Sequence, residues 1–97
     1  MIDLDPASLV LVKQILKKHL PGATVKAFGS RVTGKAKPYS DLDLVIIDDK
    51  PISIKKMNAL KFEFSNSDLP ILIDIIDWHA ISKSFREKIE GDCEVVV

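Results

Sequence analysis

The segment Leu42 to Ile47, Leu-Asp-Leu-Val-Ile-Ile, is the most apolar stretch of the chain, yet it carries Asp43 inside it and follows directly on Asp41. A run this apolar reads as the central strand of a sheet, and a small sheet of that kind needs helices packed against it. Residues i and i+2 of a strand point to the same side, so Asp41 and Asp43 share one side, roughly 7 Å apart at the backbone. Leu42, Leu44 and Ile46 take the opposite side and read as core. Two carboxylates at that spacing repel by about 2 kcal/mol at an effective dielectric of about 20, and aspartate is a poor strand residue. A sequence bears both penalties most readily where a divalent cation lies between the groups. Oxygen-only ligands select magnesium or manganese over zinc. Two solvated acids at an exposed strand end are the alternative reading of the same residues.

The remaining elements follow from spacing and punctuation. Asp5-Pro6 is a helix start, with aspartate as N-cap and proline where no amide donor is needed. Leu9, Val12, Ile15, Leu16 and Leu20 recur at helical spacing, Lys17, Lys18 and His19 suit the negative end of the helix dipole, and Pro21-Gly22 stops it. His19 reads as a capping residue. Ala23 to Phe28 has strand character and ends at Gly29-Ser30; a short helix or turn from Arg31 is broken by Gly34 and Pro38. Ser53 to Phe64 predicts a second long helix with Ile54, Met57, Leu60 and Phe64 as its apolar stripe. Ile71 to Ile76 predicts a third strand, Ser82 to Glu90 a last helix packing Phe85 and Ile89, and Val95 to Val97 a short strand or docked tail. The order αβαβαβα predicts an α/β (α+β) domain spanning residues 1–97, with a small mixed sheet flanked by about four helices.

Composition excludes several functions. Fourteen basic and 14 acidic residues balance, so direct nucleic-acid binding is not expected. A single cysteine, Cys93, rules out an internal disulfide and a zinc cluster. The N-terminus lacks the regions of a signal peptide and no apolar run reaches membrane-spanning length, so the expected location is the cytoplasm, with no membrane association. The apolar fraction of 46% is high for a chain that must cover itself with polar surface. It fits either a permanent partner surface or the core of a small α/β domain.

Chemistry gathers at three places. Gly29 lets a ligand approach the main chain, and Ser30 adds a hydroxyl where amide donors can receive phosphate oxygens. Asp41 and Asp43 follow ten residues later. Asp74 lies inside Ile71-Leu-Ile-Asp-Ile-Ile76, where a lone buried charge would cost several kcal/mol, so it must face solvent, a partner or a metal. Asp77 points to the other face and reads as a cap. Trp78 and His79 beside it read as packing residues before base contacts.

Gly29-Ser30, ten residues, then Asp41-Leu-Asp43 resembles the signature of the DNA polymerase beta-like nucleotidyltransferase superfamily. Gly-Ser-Arg-x-x-Gly, Tyr-Ser-Asp-Leu-Asp-Leu and Ile-Asp-Ile-Ile-Asp-Trp are similar to its minimal nucleotidyltransferases (MNT), over Ala23 to about Ile89. The resemblance implies a nucleotidyltransferase fold and magnesium-dependent transfer of AMP from ATP to a hydroxyl. It implies Asp41 and Asp43 as ligands of two magnesium ions (manganese as a substitute), and Asp74 as a further ligand or as the base for the incoming hydroxyl. Gly29 and Ser30 would bind the β- and γ-phosphates. Arg31 is a candidate for the leaving pyrophosphate, or else an exposed helix arginine; Ser40 is a candidate phosphate contact.

Larger relatives carry extra domains for base and acceptor that this chain lacks, so the acceptor site is expected to be shared. MNT proteins pair with all-helical HEPN proteins as antitoxin and toxin, the antitoxin adenylylating a toxin tyrosine. The resemblance therefore implies a HEPN-type partner in a hetero-oligomer. A small hydroxylated acceptor, and an antitoxin acting by occlusion alone, are the alternatives.

Overall fold

In the computed structural model, which describes residues 1–97, the Asp5 carboxylate accepts the Ser8 amide at 3.0 Å and Pro6 opens α1 (Pro6–His19). The chain continues through β1 (Thr24–Phe28), α2 (Ser30–Thr33), β2 (Leu42–Ile47), α3 (Ile54–Ser65), β3 (Ile73–Asp77), a 3-10 turn at Trp78–Ala80, α4 (Lys83–Gly91) and β4 (Cys93–Val95). Ser53 and Ser82 cap α3 and α4 by accepting the amides of Lys56 and Phe85. Each cap satisfies an amide that the helix itself cannot.

The sheet is mixed and four-stranded, in the order β3-β2-β1-β4. β2 runs antiparallel to β1 and parallel to β3, with α3 as the crossover; a parallel return needs such a connection. The last strand joins the far edge, antiparallel to β1, pairing Phe28 with Cys93 and Lys26 with Val95. The C-terminal strand therefore lies earlier than the pattern Val95 to Val97 predicts, while Val96 and Val97 still donate to the Val25 carbonyl. The third strand begins at Ile73 and not Ile71, although Leu42 already donates to the Leu72 carbonyl at 3.0 Å.

One sheet face and the inner stripes of α1 and α3 make the core. Val12 and Leu16 from α1, Leu60 from α3, and Val25, Ala27, Leu42, Leu44 and Ile46 from the inner strands are fully buried. A fully buried leucine of this kind is worth about 1.5–3 kcal/mol. Ile54 does not join the predicted stripe: it stands at the first position of α3, 81% exposed. His19 does not cap a carbonyl but meets Glu63 of α3 at 2.6 Å, with Lys18 at 3.0 Å, tying the two helices at one end. The hydrogen bonds from His19 and then Lys18 hold the Glu63 carboxyl below its usual range.

The other sheet face is the open one. The fourth helix crosses it beside β1, where Phe85 meets Phe28 edge-on at 5.8 Å between centroids, and leaves β2 and β3 uncovered near their N-terminal ends.

Arg31 is not an exposed helix arginine. It is buried in α2, and its guanidinium donates to four main-chain carbonyls: Ser40 at 2.9 Å, Asp3 at 2.7 Å, Lys37 at 3.3 Å and Pro38 at 3.2 Å. It binds the N-terminal segment and the loop before β2 to the short helix. Arg31→Ala should cost about 2–3 kcal/mol in urea unfolding, because four partly buried main-chain hydrogen bonds lose their donor. Arg31→Lys should recover only a part, since a compact ammonium cannot span the same fork.

Candidate active site

Across the open face the strand register sets Phe28 of β1, Asp43 of β2 and Asp74 of β3 side by side. Adjacent strands are about 4.8 Å apart, so Asp43 and Asp74 are nearest cross-strand neighbours of like charge. Asp41 precedes the first residue of β2 and adds a third carboxylate two residues from Asp43. Asp41 and Asp74 are exposed while Asp43 is half-buried between them. None of the three forms a salt bridge within the chain.

The cost falls on Asp43. Burial first, then the charge of Asp74, then that of Asp41, holds its carboxyl above the usual carboxylate range. A raised folded-state value means that Asp43 favours folding while protonated, below its unfolded value. That contribution is lost as pH rises through the raised value, leaving an uncompensated repulsion at neutral pH. A divalent cation should offset it. With solvent screening the relief is about 1 kcal/mol, so magnesium should raise Tm by about 4–8 °C at neutral pH and progressively less on acidification. Differential scanning fluorimetry across pH checks this.

The donor set fits magnesium as an open site. Its oxygens are all carboxylate, the hard donors this ion prefers. No three His, Cys, Asp or Glu side chains, Asp41, Asp43 and Asp74 included, lie close enough together to hold a metal ion by themselves. An ion here would complete its shell from water and substrate phosphate, which is how magnesium is usually held in phosphoryl-transfer sites.

Gly29 shapes the other side of Asp43. Its backbone, at φ 79 and ψ −159, lies in a region essentially reserved for glycine. A Cβ there would overlap Asp43 Oδ2 and stand 3.2 Å from its Cγ. The turn and the central acid are thus packed against each other. A hollow of about 230 Å³ opens beside Gly29, lined by Phe28, Thr33, Phe85 and Lys88. On the opposite side a groove of about 490 Å³ takes Asp41, Asp74, Tyr39, Lys61, Leu69 and Leu72 into its wall. Asp43 stands between them, with Phe28 of the hollow on one flank and Asp74 of the groove on the other.

The structure therefore brings Gly29, Asp41, Asp43 and Asp74 together, with Ser30 following Gly29 at the start of α2. Arg31 has its donors turned into the fold. The Ser40 hydroxyl accepts the Lys37 amide at 2.8 Å and its carbonyl accepts Arg31, so Ser40 shapes the loop. Asp77 faces the core side, accepting from Ile52 at 2.8 Å and His79 at 3.0 Å. Trp78 lies under the Arg86 guanidinium at 5.2 Å, and His79 Nε2 meets the Asp48 carbonyl at 2.6 Å. Sequence reasoning missed Tyr39 and Lys61 as groove residues. Tyr39 lies in the turn that precedes β2, so no strand alternation pointed it toward the groove.

The chain is similar to known proteins in sequence and in fold. The family model described as "Polymerase beta, Nucleotidyltransferase" matches residues 11–97. A Haemophilus influenzae protein named "Probable protein adenylyltransferase MntA" is 50% identical over 86 residues, covering 89% of this chain and 75% of that protein. A toxin-antitoxin crystal structure with AMP-PNP superposes with TM-score 0.76 at 17% identity, over 97% of this chain and 73% of the other. The MNT antitoxin in complex with a tri-AMPylated Shewanella oneidensis HEPN toxin gives TM-score 0.70 at 15% identity, over 94% and 70%. These two likenesses are of fold. No helix is long and apolar enough to cross a membrane.

Proposed function

The chain belongs to the polymerase beta nucleotidyltransferase family, and from that premise we propose that residues 1–97 act as one minimal transferase domain moving AMP from ATP to a tyrosine of a HEPN-type partner protein. One observation carries the chemistry: Asp43 is packed against Gly29 on one side and set beside Asp74 on the other. A phosphate-tolerant turn and an acceptor-side acid then flank the same carboxylate. The 50% identity to a protein adenylyltransferase supports a protein acceptor, and the groove of about 490 Å³ that Asp74 lines leaves room for a phenol presented from a second chain.

In this reading the Gly29 turn and the Ser30 hydroxyl hold the β- and γ-phosphates, where the missing Cβ lets the triphosphate lie close to the main chain. Asp41 and Asp43 would hold two magnesium ions, or manganese in their place. Such ions, when bound, neutralise charge on the triphosphate and on the departing pyrophosphate. Asp74, exposed on the groove wall, receives the proton of the incoming hydroxyl. Ser40 and Arg31 serve the site at one remove, by fixing the loop that leads into Asp41. Neutralisation of the partner follows from the bulk and charge added to its tyrosine, within a hetero-oligomer of the two chains.

Incubating the chain with magnesium, labelled ATP and a HEPN-type protein encoded beside it tests the proposal. Label on a partner tyrosine is the expected result. No label on the partner, with transfer to a small hydroxylated molecule, would replace it by the small-molecule reading. Neutralisation that persists with all three acids replaced would replace it by simple occlusion.

A further inference from the structure

Tyr39 is the only tyrosine of the chain, and it stands 75% exposed on the wall of the groove that also holds Asp41 and Asp74. An exposed aromatic on a free loop would carry little meaning. This loop is not free. Arg31 grips the carbonyls of Lys37, Pro38 and Ser40, and the Ser40 hydroxyl holds the Lys37 amide. The backbone is therefore pinned on both sides of Tyr39 while its ring is left to solvent. A buried guanidinium is a large device for fixing a short loop, and what that loop presents is a phenol on a groove that two carboxylates also line.

Another nucleophile nearby is less suited. The Ser40 hydroxyl is engaged by the Lys37 amide. The phenol is also the acceptor type already assigned to this site. Holding a reactant in place converts a bimolecular step into an effectively unimolecular one, which favours a tethered acceptor over a dilute one.

We infer that Tyr39 is a second acceptor: when no partner hydroxyl fills the groove, the chain transfers AMP to its own Tyr39. This rests on the adenylyl-transfer reading above. The Tyr39 Oη forms a bond to the α-phosphorus of ATP as the bond from that phosphorus to the bridging oxygen breaks. Pyrophosphate leaves with the electron pair, and the phenolic proton passes to Asp74 and then to solvent. Nothing is oxidised or reduced. The AMP, joined through a phosphodiester, then occupies the mouth of the groove, so a self-modified chain is a poorer catalyst toward its partner.

The test scores both proteins. The full chain is incubated with ATP and magnesium, with and without its HEPN-type partner, and intact mass and peptide mapping locate any added AMP. Without partner, one AMP on Tyr39 is expected, at a rate unchanged on serial dilution and absent in Tyr39→Phe. Partner labelled and Tyr39 unlabelled overturns self-modification and leaves the proposed function standing; neither labelled overturns both. A rate that falls on dilution overturns transfer within one chain. A turnover-independent readout is nitration of Tyr39 by tetranitromethane. Bound α,β-methylene-ATP, in which the bond that must break is replaced, should shield the phenol, and unchanged nitration at saturation would contradict the placement.

Discussion

Asp43→Asn is expected to slow adenylyl transfer about a thousandfold while leaving the metal-free chain as stable as wild type, or more so. The two halves of this result have one cause. Asparagine keeps the shape of the side chain beside Gly29 and removes only its charge. In the metal-free fold that charge is a liability, because burial and the neighbouring Asp74 and Asp41 disfavour it. In the proposed loaded site the same charge would help to hold the metal with the triphosphate. Losing one such group in a transfer site costs about a hundred- to a thousandfold or more, and a thousandfold is about 4 kcal/mol of barrier. A residue serving structure alone gives the opposite signature, with stability and rate falling together. Initial rates of labelled transfer, set beside urea unfolding with and without magnesium, separate the cases. Transfer within a few fold of wild type would remove Asp43 from the site, and loss of the magnesium-dependent rise in Tm should accompany loss of rate.

That opposition between stability and chemistry explains which features were legible in the sequence. Asp43 and Asp74 announce themselves because each breaks the pattern of an apolar strand, and Asp41 because it stands two residues before Asp43. The element order was legible for a similar reason: Asp5-Pro6, Pro21-Gly22 and the serine caps are local signals. The path of the chain between elements was not. Arg31 reads from sequence as an exposed helix residue or a phosphate ligand, since its four carbonyl partners lie at residues 3, 37, 38 and 40 and depend on how two loops fold over it. Ile54 has the right spacing for the α3 stripe, but it stands at the first position of the helix and is left to solvent. The docking of β4 against β1, at the far edge from β3, is likewise a matter of topology. No local pattern in Cys93-Glu94-Val95 says which edge will receive it.

Gly29→Ala should cost about 1–3 kcal/mol of stability and about a hundredfold in transfer rate, through two separable effects. The backbone at φ 79 and ψ −159 is strained for any residue with a Cβ, and that strain supplies the stability loss. The added methyl also overlaps the Asp43 carboxylate. A side-chain terminus can swing away at modest cost in stability, but the carboxylate then leaves its place beside Asp74. A displacement of about 1 Å at a reacting centre is worth about a hundredfold. A double-mutant cycle with Asp43→Ala divides the two terms. In the Asp43→Ala background the steric part vanishes and Gly29→Ala should cost only its backbone strain, so the stability effects fall short of additive. Gly34 provides the control: its φ is 81, but a Cβ added there would meet no atom within 4 Å, so Gly34→Ala should lose about 1 kcal/mol and keep its transfer rate. Equal losses of rate at the two glycines would mean that backbone strain, and not the contact between the turn and the central carboxylate, governs the site.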